Sequence, residues 1–494
     1  MFMTTSPRAH ILKELVFPAR YEFLIEHVGS EVARLVVAPP SQVLYALELA
    51  AQSVRARGEG LFVPIYAPSG TGKTTLASNL RTFLPSQFSA TIQHNGAVTF
   101  DELIAAVTEG ARSIAQNDDR SIPLLIDHRE SAPADTVELA AIKRFLRDPV
   151  GRRVVICWPE TSEDLAKSMS ADYQNIAGRP PMDLPLHVEG PHRDAWVAIA
   201  TNTLQLSNNV DSLELLGVDP RDYDPNAYST LGDFLRAISD DFTRNRLDIL
   251  QRTRLPIRLA VVVVSASTDP GVLMHLTNSS RFGFVDGNAL LAATPGSVVG
   301  KWWAQRRGLL TQMIVQLDAR VFGLPPAVSV PVLRRFGPED VKDNLQKLEI
   351  ADKGAASVSR NLGRSDFGKY LLGTATSTYE TRGTPSHVST PAFDLLSERG
   401  FTHGADKELN KAVLEAVKGF TEVNGMEAGE FKAEERMEFA PLIPDTSFVV
   451  NGEAICIEYT WRSGDYLTNK NRAAIAVYIL QKLQNYAREL GYVD

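Results

Sequence analysis

Cysteine is nearly absent from this chain. Two occur in 494 residues, Cys157 and Cys456, each inside a strand-like apolar run. Two isolated thiols exclude a disulfide-stapled scaffold and read as buried, reduced side chains. Neither has a second Cys or a His at zinc-ligand spacing, which argues against a structural zinc site. Long hydrophobic runs are missing too: the densest, Leu259–Val264, is far too short to cross a bilayer and reads as a buried parallel strand. Excess positive charge is also lacking. The formal net charge is −8, so any contact with nucleic acid needs a local basic surface. Polar residues stand near the N-terminus where the apolar core of a secretory signal would sit, so a cytoplasmic protein with no membrane partner is expected. Internal repeats and coiled-coil heptads are not found.

What is present is an ordinary globular composition, 44% apolar, and a length that suggests roughly two to four domains. Over the first 190 residues strand and helix signals alternate, as in a parallel sheet covered on both faces. The expected strands are Leu61–Tyr66, Phe88–Gln93, Ile122–Asp127, Arg153–Trp158 and Leu184–Glu189. Between them lie helix-like stretches such as Phe100–Gln116 and Asp135–Arg147.

The first strand runs into Ala67-Pro68-Ser69-Gly70-Thr71-Gly72-Lys73-Thr74, followed by a helix-like stretch from Thr75. This fits the phosphate-binding P-loop except that Ala67 replaces the usual first Gly, and strand–loop–helix is the context the motif requires. Gly70 and Gly72 let the backbone curl so that N–H groups converge on phosphate oxygens. Lys73 adds a point charge at the β- and γ-phosphates, and Thr74 a hydroxyl for Mg²⁺. The predicted ATP contacts are Ala67, Ser69, Gly70, Thr71, Gly72, Lys73, Thr74 and Thr75. Ile122–Asp127 ends an apolar strand in a carboxylate, the Walker B arrangement, and makes Asp127 the second Mg²⁺-binding residue.

With the P-loop after the first strand, the stretch from Ser41 to about Asp240 resembles the AAA+ branch of P-loop ATPases. The resemblance implies an ATP- and Mg²⁺-dependent ATPase core over 1–190 and a helical lid over 191–254. It implies a water-activating Glu directly after Asp127. His128 stands there instead, and Glu130 follows two positions later. Either Glu130 reaches the water, or turnover is slow and suits a switch. Thr161 stands near where the family carries a γ-phosphate sensor, though it reads equally as a helix N-cap. Arg179, ahead of the fifth strand, is either a surface arginine or the finger that reaches a neighbour's nucleotide. In the second case the protein works as a homo-oligomer.

A linking or regulatory α/β region is expected over 255–350, with helix-like Val298–Phe322, and a loop-rich linker over 351–400. The stretch from Arg334 to Arg382 is the more basic candidate surface, or else a charge-laced solvated helix. The last region, 401–494, holds a second constellation. Helix-like Ala412–Phe420 carries Glu415. Thr446–Val450 and Ala454–Thr460 are joined by Asn451-Gly452, a strong hairpin turn. A long helix follows over Arg472–Leu490. Asp445 and Glu458 lie on the paired strands, where two converging carboxylates can hold Mg²⁺. This helix–strand–hairpin–helix order resembles the PD-(D/E)XK nuclease fold and implies Asp445 and Glu458 as catalytic metal ligands, Glu415 as a third acid, and DNA as partner. The resemblance also implies a lysine two positions after Glu458. Thr460 stands there, and Arg462, Lys470 and Lys432 are the nearby bases. Together the two resemblances imply an ATP-gated nuclease of the kind found in bacterial antiviral defence. The alternative is a switch that binds nucleic acid or a partner protein without cutting.

Overall fold

The computed structural model describes residues 10–29, 35–115, 117–127, 129, 132–210, 214–251, 255–375, 379, 387–398 and 406–493. The chain divides into two compact units: one takes Phe17–Ser207 and Asp219–Asp241, the other the segment ending at Val16, Asn208–Val218 and Phe242 onward. Among the described residues the strands form two five-stranded sheets, one in each unit.

The first sheet holds β1 (Leu61–Tyr66), β2 (Ile92–His94), β3 (Ile122–Ile126), β4 (Val154–Glu160) and β5 (Leu186–His187). Their order is β2-β3-β4-β1-β5, and every pairing is parallel. Alternation along each strand shows why the sheet is covered twice. Val63 and Ile65 of β1, with Val155 and Cys157 of β4, pack into one cluster with Leu47 and Val54 of the helix Ser41–Arg57. Phe62, Ile156 and Trp158 turn the other way, onto Leu139 and Phe145 of the helix Thr136–Arg147. Asp135 starts that helix with a reciprocal capping box to Glu138. Burial pushes the Cys157 thiol up to about 12, so it stays an inert apolar side chain. The five expected strands are found, the second shifted to Ile92–His94 and the fifth shortened to Leu186–His187.

The second sheet corrects the expected partition. It holds β6 (Ile257–Val264), β7 (Arg320–Leu324), β8 (Ala428–Ala433), β9 (Thr446–Val450) and β10 (Glu453–Trp461), in the order β7-β6-β10-β9-β8. β6 pairs in parallel with both β7 and β10, whereas β8, β9 and β10 form an antiparallel meander. The regions read as a linking domain over 255–350 and a separate domain over 401–494 therefore share one sheet. The Ala454↔Ile257 register joins residues nearly two hundred positions apart, which no local pattern reveals. Val298–Phe322, read as helix-like, breaks into the helices Val298–Ala304 and Arg307–Gln316 and then into β7.

The loop-rich linker expected over 351–400 is also corrected. It contains the helices Gly354–Gly363, Asp366–Leu372 and Ser389–Glu398. Val358, Leu362, Phe367, Tyr370, Leu371 and Phe393 enter the main core of the second unit. Their apolar spacing outweighs the Gly and Ser content that suggested a linker.

Candidate functional site

Because β1, β3 and β4 run parallel, their carboxyl ends share one edge of the sheet. That edge brings together Ala67 after β1, Asp127 after β3 and Thr161 after β4, although they are far apart in sequence. The loop after β1 has the left-handed glycines the motif requires, Gly70 at φ +79° and Gly72 at φ +101°. Gly72 caps the helix Lys73–Ser78. Ala67 is buried at the start of the loop, so its methyl group is accommodated. Lys73 is 5% exposed, and its ammonium donates to Ala67 O at 2.6 Å and to Pro68 O at 3.2 Å, which ties it across the loop. Thr71 Oγ1 donates to Pro68 O at 2.7 Å.

The loop borders a cavity of about 600 Å³, a volume suited to a mononucleotide. Ser69, Gly70, Thr71, Gly72, Lys73, Thr74 and Thr75 all line it, with Thr161. Its other walls come from residues the sequence did not single out: Tyr21, Val37 and Pro191, and from the helix Leu231–Gln251, Leu235 and Arg236. Gly232 at the start of that helix donates its N–H to Gly70 O at 2.9 Å. The stretch expected to form a lid thus touches the phosphate loop directly.

Asp127 is buried at the end of β3, its N–H donating to His94 O at 3.2 Å. Glu130 lies outside the described residues. Glu160 is a fully buried acid at the end of β4, in register with Tyr66 of the P-loop strand. Its Oε1 accepts from the N–H groups of Thr161 at 2.7 Å and Ser162 at 3.0 Å and so fixes the Thr161 turn. Of the two readings of Thr161, the helix cap falls to Ser162, whose hydroxyl accepts from Leu165 N. Arg179 is exposed after the helix Glu163–Ala177 and is not among the residues lining the cavity.

In the second unit, the Asn451-Gly452 turn has both residues in the left-handed region, φ +51° and +75°, as a two-residue hairpin loop needs. It sets Glu453 against Val450 and Ile457 against Thr446, and continuing that register puts Glu458 opposite Asp445. Directly opposed residues point to the same face. Ile455, Ile457, Tyr459 and Trp461 fill the core on one face. Glu458, Thr460 and Asp445 take the other, toward the helix Arg472–Glu489.

That helix supplies the group the sequence reading missed. Lys482 forms ion pairs with both carboxylates, with Glu458 and, at 3.6 Å, with Asp445 Oδ1. Tyr486, one turn on, donates its hydroxyl to Glu458 Oε1. Tyr459 N–H donates to Asp445 Oδ2 at 2.8 Å. Burial pushes the Glu458 carboxyl up to about 7; Lys482 pulls it the other way, and the charge of Asp445 adds to the rise. Burial opposes the charge on Lys482 in turn, but Glu458 and Asp445 outweigh it and hold the ammonium above its ordinary range. The signal for Lys482 was in the sequence: with Ile475, Ile479 and Tyr486 it falls on the buried stripe of an amphipathic helix, an unusual place for lysine.

The bases expected to stand in for the lysine do other things. Arg462 Nε donates to Thr460 Oγ1 at 2.9 Å, Lys432 pairs with Glu438 at 3.0 Å, and Lys470 is exposed. Glu415 does not join Asp445 and Glu458. It is exposed on the helix Asp406–Val423, whose buried residues pack with Ile455 and Ile457 on the opposite face of the sheet. Among the described residues, no group of three or more acids, His or Cys is placed to hold a metal ion. Over the basic stretch from Arg334, several charges are already paired: Arg335 with Asp352 at 2.8 Å, and Lys342 with Glu339 at 3.0 Å. Arg382 lies outside the described residues. Among the described residues no helix is long and apolar enough to cross a membrane.

No family model matches this chain, and no curated protein is similar to it. Among solved structures, two mutants of Thermotoga maritima RuvB are similar. One is 17% identical over 51% of this chain and 81% of its own, with a TM-score of 0.26. The other is 17% identical over 58% of this chain and 91% of its own, with a TM-score of 0.27. Likeness at this level carries no argument, and the functional reading rests on the chain's own geometry.

Proposed function

We propose that the chain is an AAA+-like ATPase whose nucleotide state controls a nuclease-like second unit acting on DNA, as in a bacterial anti-phage effector. The observation that carries the ATPase part is the P-loop. Its left-handed glycines, tethered Lys73 and Thr74 border a nucleotide-sized cavity, with Asp127 and Thr161 at the same sheet edge. Bound there, Mg²⁺ would be held by Thr74 and Asp127 and would neutralise charge on the β- and γ-phosphates. The residues fit that group. Lys73 holds the phosphates, Thr161 meets the γ-phosphate, and Glu130 positions the attacking water. Arg179 reaches a neighbour's nucleotide in a homo-oligomer.

In the second unit, Asp445 and Glu458 converge as a metal-binding nuclease pair would, with a half-buried lysine beside them. Two carboxylates suit Mg²⁺. A second reading, in which the unit binds DNA or a partner protein without cutting, is favoured by the ion pairs that engage both acids with Lys482. Incubation of purified protein with linear and circular DNA and Mg²⁺ or Mn²⁺, with and without ATP, decides between them. Metal-dependent cutting that Asp445→Ala abolishes establishes the first reading. Binding of DNA without cutting under any nucleotide condition establishes the second.

A further inference from the structure

Each of the four carboxylate oxygens of the Asp445–Glu458 pair already has a partner. Tyr459 N–H holds Asp445 Oδ2 at 2.8 Å, Tyr486 holds Glu458 Oε1, and Lys482 faces Asp445 Oδ1 at 3.6 Å while ion-paired with Glu458 Oε2. The lysine side chain is 23% exposed, so its stem is packed and its ammonium lies in the site rather than in solvent. Two anions and one cation leave a net charge of −1. A divalent ion added beside the ammonium would put two cations on the same oxygens, at distances where like charges repel strongly in a partly buried site.

We propose that Lys482 is the resident counter-ion of this site, that a divalent cation competes with it for Asp445 and Glu458, and that a phosphodiester group favours the exchange by accepting the displaced ammonium. The inference rests on reading the site as one for a metal and a phosphodiester. The stem of lysine is flexible, and its ammonium needs another anion when it leaves the carboxylates. A phosphodiester carries one negative charge and provides that anion. Metal and DNA then bind with positive coupling, and by linkage each raises the affinity of the other by the same factor. Lys482 would serve as the cation that Thr460 cannot provide, drawn from a helix instead of from the strand.

Mn²⁺ affinity of the full chain, measured without nucleotide at pH 8, tests this. Lys482→Met and Lys482→Gln are expected to bind Mn²⁺ at least tenfold more tightly than the unsubstituted protein. The gain should vanish when Asp445→Asn is added, and Lys482→Arg should keep the weak affinity. A short phosphorothioate DNA duplex should tighten Mn²⁺ binding at least tenfold in the unsubstituted protein and leave Lys482→Met unchanged. Equal affinity in the unsubstituted protein and both neutral variants would overturn the competition. Tighter binding in the variants with no effect of the duplex would overturn the phosphodiester step alone. If both neutral variants fail to fold, the duplex effect on the unsubstituted protein decides: coupling supports the proposal and its absence overturns it. DNA cutting lost in Asp445→Ala, with unchanged Mn²⁺ affinity in the Lys482 variants, would leave the nuclease reading standing while this inference fails.

Discussion

Gly232 belongs to no motif, yet it holds the phosphate loop from outside. A Cβ there would sit 2.6 Å from Gly70 Cα, and backbone cannot yield as a side chain does. Gly232→Ala should therefore displace Gly70 in the loop and weaken ATP binding about tenfold, or about 1.4 kcal/mol. The melting temperature should change little, and titration calorimetry with ATP measures the loss. His10 governs a different property at the same scale. It is buried, its Nδ1 accepting from Leu12 N at 3.2 Å and its Nε2 donating to Ile257 O at 2.9 Å. Burial lowers its pKa from 6.5; Arg258 adds to the fall, while Asp318, Glu453 and the bond to Ile257 oppose it. With the folded value below the unfolded one, the unfolded chain takes up the proton first as pH drops. This contribution is complete above pH 6.5 and is lost as pH falls below it toward the folded value. Urea titrations at pH 7.5 and pH 5.5 should show a smaller stability difference for His10→Gln than for the unsubstituted chain. At this scale the left-handed turn at Gly70 and Gly72 and the helix start at Lys73 were legible, because that local geometry is written in consecutive residues. For Lys482 the sequence carries its place on the helix stripe but not its role, because its partners lie 24 and 37 positions away and meet it only through the fold.

Among elements, the β9–β10 hairpin shows the clearest passage from sequence to site. The Asn451-Gly452 turn fixes a register, and the thirteen-residue spacing of Asp445 and Glu458 then places them opposite each other. Gly452 sits at φ +75° with open space around it, so Gly452→Ala pays only for the left-handed backbone. A loss of about 1–2 kcal/mol is expected from chemical denaturation, with the register retained. The elements that were misread share a cause. Gly354–Gly363 and Asp366–Leu372 have linker-like composition, but Leu362, Phe367 and Leu371 insert into the core. Glu415 has the right residue type on a helix packed against the wrong face of the sheet.

At the scale of the molecule, the shared sheet of the second unit has a direct consequence. β10 lies between β9 and β6, and β6 comes from Ile257–Val264. A fragment covering 401–494 would expose the β10 edge and the apolar face that β6 and the helix Pro326–Phe336 cover. It should fail to fold alone, giving an unfolded or aggregated product by circular dichroism and gel filtration. A fragment that folds there with cooperative melting would contradict the shared core. The alternation of strands and helices over the first 190 residues was legible because each βα step is local. The second sheet was not, because its central pairing joins strands nearly two hundred residues apart.

Nucleotide binding at the P-loop is tested most directly by the ATP affinity of Lys73→Ala beside the unsubstituted protein. Lys73 is buried, its ammonium crosses the loop to Ala67 O, and it lines the cavity, so its removal takes a positive charge away from the cavity wall. The predicted result is binding of Mg·ATP by the unsubstituted protein, loss of at least a hundredfold in affinity in the variant, and little change in melting temperature without ligand. Equal ATP affinity in the two proteins would contradict the assignment.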